Sequence, residues 1–140
     1  MKRIFAVVAI ALLSLGFVRT TQTPAPYRVV FDLTSRDTLE QRAVLRWLRE
    51  VSGSSPEAKM EVVMYGKGFE LVMPDRSPYA NDVKEAMKNP NVSFKVCAIA
   101  LKNNNVDKSQ LVAGAQTVPD GIRELVEKQQ EGWGYIKVMH

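Results

Sequence analysis

Apolar, β-branched runs alternate with stretches of helical spacing from Arg28 to Val138, and no other feature limits the fold of this chain as much. Arg28-Val29-Val30-Phe31-Asp32-Leu33 reads as a first strand. Asp37 and Glu40 then make a capping-box pattern. Leu39, Ala43, Val44, Trp47, Leu48 and Val51 recur at helical spacing until Gly53 and Ser54-Ser55-Pro56. Glu61-Val62-Val63-Met64-Tyr65 is a second strand, running into Gly66-Lys67-Gly68 and a short apolar turn from Phe69 to Met73. Ser77 and Pro78 open another helix with Tyr79, Val83, Ala86 and Met87 inward, and Asn89-Pro90 stops it. A third strand, Val92 to Cys97, passes into a short apolar helix, Ala98 to Lys102. Asp107 and Gln110 suggest one more cap, and Gln116-Thr117-Val118 a brief strand. Pro119 starts a last helix with Ile122, Leu125 and Val126 inward; Gly132 closes it before a final strand, Tyr135 to Val138.

This order predicts an α/β fold of three layers, a mainly parallel sheet with helices on both faces. In open sheets of that kind, ligands meet the carboxyl ends of the strands. Cys97 and the Gly66-Lys67-Gly68 loop both fall there.

At 140 residues, one domain is the default. The formal charge of +4 overstates the basicity of the folded part. Of the 19 lysines and arginines, Lys2, Arg3 and Arg19 lie in or beside the N-terminal segment, leaving 16 against 15 acidic residues. The two signs are interspersed without a basic stripe, so no nucleic-acid partner is expected. Lys2 and Arg3 precede an uncharged run, Ile4 to Val18, about as long as the core of an export signal and short for a membrane span of roughly 20 residues. Residues 1–23 therefore read as an export signal and spacer, with cleavage before Phe17 or near Thr20 to Thr23, and residues 27–140 as the domain. That places the protein in the periplasm or outside the cell. The alternative is an uncleaved membrane anchor. No cysteine follows the apolar run, which removes lipid attachment through an N-terminal cysteine.

Cys97 is the single cysteine, and it stands at a strand-to-helix junction. Helix amide N–H groups at such a place favour the thiolate. Strand parity puts Ser93, Lys95 and Cys97 on one face and Val92, Phe94 and Val96 on the other, which suggests partial access and a nearby cation. A lone cysteine is also a common small core residue, and both readings stay open. Gly66, Lys67 and Gly68 form either a turn that needs positive φ or a loop whose amides line the pocket around the sulfur. Lys102, about one turn beyond Cys97, is either a solvated charge or a support for an anionic sulfur. The only histidine, His140, is the last residue, so a Ser-His-Asp triad or a histidine metal site is not expected. One cysteine cannot supply a thiolate cluster, and no metal or cofactor is expected. Glu124 and Glu127 have helix-surface spacing and read as solvated.

The segments "EVVMYGKGFELVM", "FKVCAIALKNNNVDKSQL" and "TVPDGIRELVEKQQEGWGYIKV", with the first strand and helix, resemble the DsrE/DsrF-like family, the YchN-like fold. The likeness covers nearly everything after Tyr27, and the cysteine and C-terminal segments are its specific parts. It implies a homo-oligomer, a trimer or hexamer. It also implies that Cys97 accepts and donates sulfane sulfur as a persulfide, as a sulfur carrier or sulfurtransferase-like protein, with a sulfur donor or acceptor protein or a small sulfur compound as partner. The export signal sets this chain apart from cytoplasmic sulfur-relay members and resembles a secreted branch. The rival expectation is a non-enzymatic oligomeric module that binds a small ligand or is structural, with Cys97 packed inside.

Overall fold

The computed structural model describes residues 26–139. The export signal expected over 1–23 and the terminal His140 lie outside them. Five strands form one sheet: β1 (Arg28–Leu33), β2 (Lys59–Met64), β3 (Val92–Cys97), β4 (Gln116–Val118) and β5 (Gly134–Lys137), in the order β4-β3-β2-β1-β5. Every pairing is parallel, with Val30 opposite Glu61, Val62 opposite Phe94 and Cys97 opposite Val118. The expected α/β sheet is therefore present, and parallel strands require crossovers that cover it.

Helices α1 (Thr38–Ser54), α2 (Ala80–Ala86), α3 (Ala98–Asn103) and α4 (Gly121–Gln130) supply the cover, with short 3₁₀ turns at Gly68–Val72 and Lys108–Gln110. The start of α1 is fixed by Asp37, whose carboxylate accepts from the Leu39 amide at 2.7 Å. Such a cap contributes about 1 kcal/mol. Val44, Leu45 and Leu48 then bury one face of α1 against the sheet. Leu39 differs from expectation: it is exposed, because it sits in the first turn, ahead of the buried stretch. The pair Asp107 and Gln110 does form a reciprocal capping box, around the second 3₁₀ turn.

The two faces of the sheet are unequal. The main core gathers Phe31, Leu33, Val62, Met64, Phe94 and Val96 with the apolar residues of α1, α2 and α3. Phe31 and Phe94 are fully buried, each worth roughly 2 to 3 kcal/mol. Among the described residues, the opposite face holds only a small cluster, Val30, Val63 and Leu125, with Tyr65 and Trp133 at its margins. One helix, α4, crosses that face. Leu125 is its one buried apolar side chain, whereas Ile122 and Val126, expected inward, are 59% and 47% exposed. The helix leans on the sheet through a narrow strip, and its i, i+4 pair Ile122 and Val126 faces away.

Candidate functional site

Cys97 ends β3 and is the residue from which α3 starts. Its backbone is extended, at φ −65° and ψ 118°, and its side chain makes no capping hydrogen bond. The thiol is free of disulfide partners. The strand-to-helix junction read from the sequence is thus present, but the expected partial access is not: Cys97 is only 5% exposed. The reason is α4. A Cβ placed on Gly121 would stand 3.1 Å from Cys97 Cβ, 3.4 Å from Val63 Cγ1 and 3.5 Å from Tyr65 Cβ. A glycine at the first position of α4 lets the helix backbone lie directly over the cysteine.

What remains open is a cleft of about 290 Å³ with Cys97 in its wall. Tyr65 and Gly66 bound it from the end of β2, Ala100 and Asn103 from α3, and Asp120 and Ile122 from the start of α4. Ile99 and Ile122 stand half-exposed in its lining and give it an apolar rim. The start of α4 is held by Asp120, whose carboxylate accepts from the Ile122 amide at 2.9 Å. The last helix is therefore capped by Asp120, one residue after the proline that was expected to open it.

The glycine loop meets this cleft at one position. Gly66 lines it and has φ +57°, the positive value expected of the loop. Gly68 turns the other way: a Cβ there would be 2.0 Å from the Leu33 carbonyl oxygen, so this glycine seats the loop on the end of β1. Lys67 reaches the cleft indirectly, its ammonium donating to the side-chain oxygen of Asn104.

Lys95 and Lys102 are not among the residues that line the cleft. Lys95 donates instead to Gln116 on β4. Lys102 is exposed in the last turn of α3, where its charge complements the helix carboxyl end. Among the described residues, then, no lysine or arginine side chain lines the cleft. The charged group in its lining is the Asp120 carboxylate, beside the neutral amide side chains of Asn103 and Asn104.

A second polar cluster, not anticipated, adjoins Tyr65. Asp32 is 3% exposed, near the carboxyl end of β1 and beside the edge strand β5. It accepts from Tyr135 Oη at 2.6 Å, from Lys137 Nζ at 3.1 Å and more weakly from Tyr65 Oη at 3.4 Å. Lys137 also donates to Thr34 Oγ1 at 2.9 Å. The hydrogen bond to Asp32, with burial and the Asp32 charge, pushes the Tyr135 hydroxyl up to about 12. Burial, then the Asp32 charge and hydrogen bond, also raises Tyr65. The signal for this cluster was in the sequence, as a carboxylate inside the otherwise apolar β1. Glu61 in β2 is a second such signal. It is 4% exposed and meets Glu124, which is 16% exposed at its side chain and not solvated as expected.

A model of the DsrE/DsrF-like family matches residues 29–138. The protein of unknown function MTH1491 from Methanobacterium thermoautotrophicum has a similar solved structure, with a TM-score of 0.74 at 31% identity. That match covers 79% of this chain and 98% of MTH1491. The protein of unknown function BT1422 from Bacteroides thetaiotaomicron shares the fold alone, at TM-score 0.67 and 14% identity over 79% of this chain and 94% of its own. No functionally curated protein matches the chain.

Proposed function

This chain belongs to the DsrE/DsrF-like family, and we propose that it carries sulfane sulfur as a persulfide on Cys97. The observation that carries this reading is the position of the thiol. It is uncrosslinked and makes no capping hydrogen bond, at the carboxyl end of β3 and in the wall of a cleft of about 290 Å³. The Cys97 thiolate attacks the outer sulfur of a donor persulfide, R–S–SH. The S–S bond of the donor breaks, and its electron pair leaves with R–S⁻. Cys97–S–SH remains and loses its proton to the medium. An acceptor thiolate then attacks the outer sulfur, and Cys97–S⁻ departs. Sulfur moves between thiols with no net oxidation.

The proposal includes export, on the charged start and apolar run within residues 1–23, and assembly as a homo-oligomer, trimer or hexamer. The exposed Ile122 and Val126 on α4 support assembly, since an apolar pair on one helix face favours cover. The test of the carrier is intact-mass measurement after exposure to polysulfide. A gain of about 32 Da per added sulfur is expected on the wild type and not on Cys97→Ser. A Cys97 that resists both polysulfide and alkylation in the folded protein removes the carrier reading.

The 5% exposure of Cys97 favours a second reading, a small-ligand-binding module in which the cysteine is packing. Thermal-shift screening separates the two. Ligand stabilisation that persists in Cys97→Ala supports the binding module.

A further inference from the structure

Glu61 lies within β2, between β1 and β3, and is almost wholly buried. The hydroxyl of Ser93 donates weakly to its Oε2 at 3.4 Å. Its Oε1 is buried and receives no donor among the described residues. The carboxyl of Glu124, on α4, comes within hydrogen-bonding reach. Two carboxyl groups can bond to each other only when one of them carries a proton. Burial, then the Glu124 hydrogen bond and charge, pushes Glu61 up to about 7, against the pull of Lys128 from α4 and Lys95 from β3. From β1 the neighbour in register is the apolar Val30. Arg28, two residues earlier, engages the Trp133 ring and the Glu131 carbonyl oxygen. Lys128 divides its charge between Glu124 at 3.8 Å and Glu131 at 3.3 Å.

We propose that Glu61 and Glu124 form a proton-dependent clasp between β2 and α4 that sets how closely the start of α4 sits over Cys97. Glu124 is three residues beyond Gly121, the residue whose backbone covers the cysteine. With the shared proton in place, the two carboxyl groups hold helix to sheet. Once the proton leaves, two negative charges face each other in a site with little water, and Lys95 and Lys128 offset only part of the repulsion. The first turn of α4 lifts, and the cleft at Cys97 widens. Both glutamates are positioning residues, since neither lines the cleft. The clasp does not depend on Cys97 carrying sulfur, because it needs only a thiol whose access can be measured.

The test is the rate at which iodoacetamide alkylates Cys97 in the purified full chain, compared between the wild type and Glu61→Gln. Glutamine keeps the size and can still hydrogen-bond to Glu124, but it cannot ionise. The ratio of the two rates at each pH reads the clasp through the thiol, and amide exchange reads it independently of the thiol. That ratio is expected near unity at about pH 6 and about fivefold in favour of the wild type at about pH 8, a modest coupling between two sites. Amide hydrogen exchange over residues 121–124 should show the same excess opening in the wild type alone. Glu124→Gln, at a position with some solvent contact, should flatten both responses and keeps the test decisive if Glu61→Gln does not fold. A rate ratio and an exchange ratio that stay constant across this pH range overturn the clasp.

Discussion

Gly121 packs against the side chain of Cys97, and a methyl group on Gly121 would come to 3.1 Å from the Cys97 Cβ. The last helix can cross the sheet at this height only because position 121 has no side chain. The neighbour it would strike is a Cβ held by β3, with no flexible end to give way.

Gly121→Ala should therefore force the start of α4 outward. The methyl gains some helix propensity, but overpacking outweighs it, and a net loss of about 1 kcal/mol is expected in urea denaturation. Alkylation of Cys97 should accelerate at the same time. An unchanged midpoint with unchanged alkylation would mean that the helix accommodates the methyl without moving.

Gly68→Ala addresses the loop on the other side of the cleft. Its Cβ would stand 2.0 Å from the Leu33 carbonyl oxygen, so the loop after β2 must leave the end of β1. A loss of about 3 kcal/mol or more is expected, the range of severe backbone and overpacking defects. A variant with wild-type thermal stability would contradict the close approach.

Asp32→Asn removes the charge that Tyr135, Lys137 and Tyr65 share. Lys137 is 35% exposed at its side chain and can turn to water, so a cost of about 2 kcal/mol is expected, less than for a fully buried pair. The Tyr135 hydroxyl, held at about 12, should fall back toward 10.0 in a spectrophotometric tyrosine titration. Tyr65 should move in the same direction. Titration curves identical to those of the wild type would show that Asp32 is not the acceptor.

Glu61 gives the folded protein a pH dependence of definite sign. Its carboxyl binds a proton up to about 7 in the native state and only to about 4.5 otherwise. Between those values the folded protein holds a proton that the unfolded chain has released. This contribution is full below about 4.5, declines as pH rises through about 7, and is flat above. Allowing for the nearby lysines and solvent screening, the decline should be about 2 kcal/mol. Urea denaturation across this range should show it in the wild type and not in Glu61→Gln. An equal slope in both proteins would remove Glu61 as its source.

Most of the scaffold was legible in the sequence. β1 was bounded by Arg28 and Leu33, and β3 ended at Cys97, because β-branched runs met clear helix signals at both places. The inward residues of α4 were misread. Ile122, Leu125 and Val126 share a helical arc, but only Leu125 enters the small cluster beneath. Periodicity gives the arc and not the width of what it packs against. The site was half legible. Strand parity brought Cys97 to the face shared with Lys95, yet it could not show that Lys95 would turn to Gln116. Asp120, Gly121 and Tyr65 were missed as neighbours of the cysteine because they come from other strand ends.

The order of strands and helices, and a lone thiol at a strand-to-helix junction, followed from residue type and spacing within a few positions of chain. The shielding of Cys97 by Gly121, the meeting of Glu61 with Glu124 and the gathering of three donors on Asp32 did not. Those contacts join residues 24 to 105 positions apart. They exist only because parallel pairing and the crossing of one helix bring distant segments to the same side of the sheet, a matter of packing that local propensity does not encode.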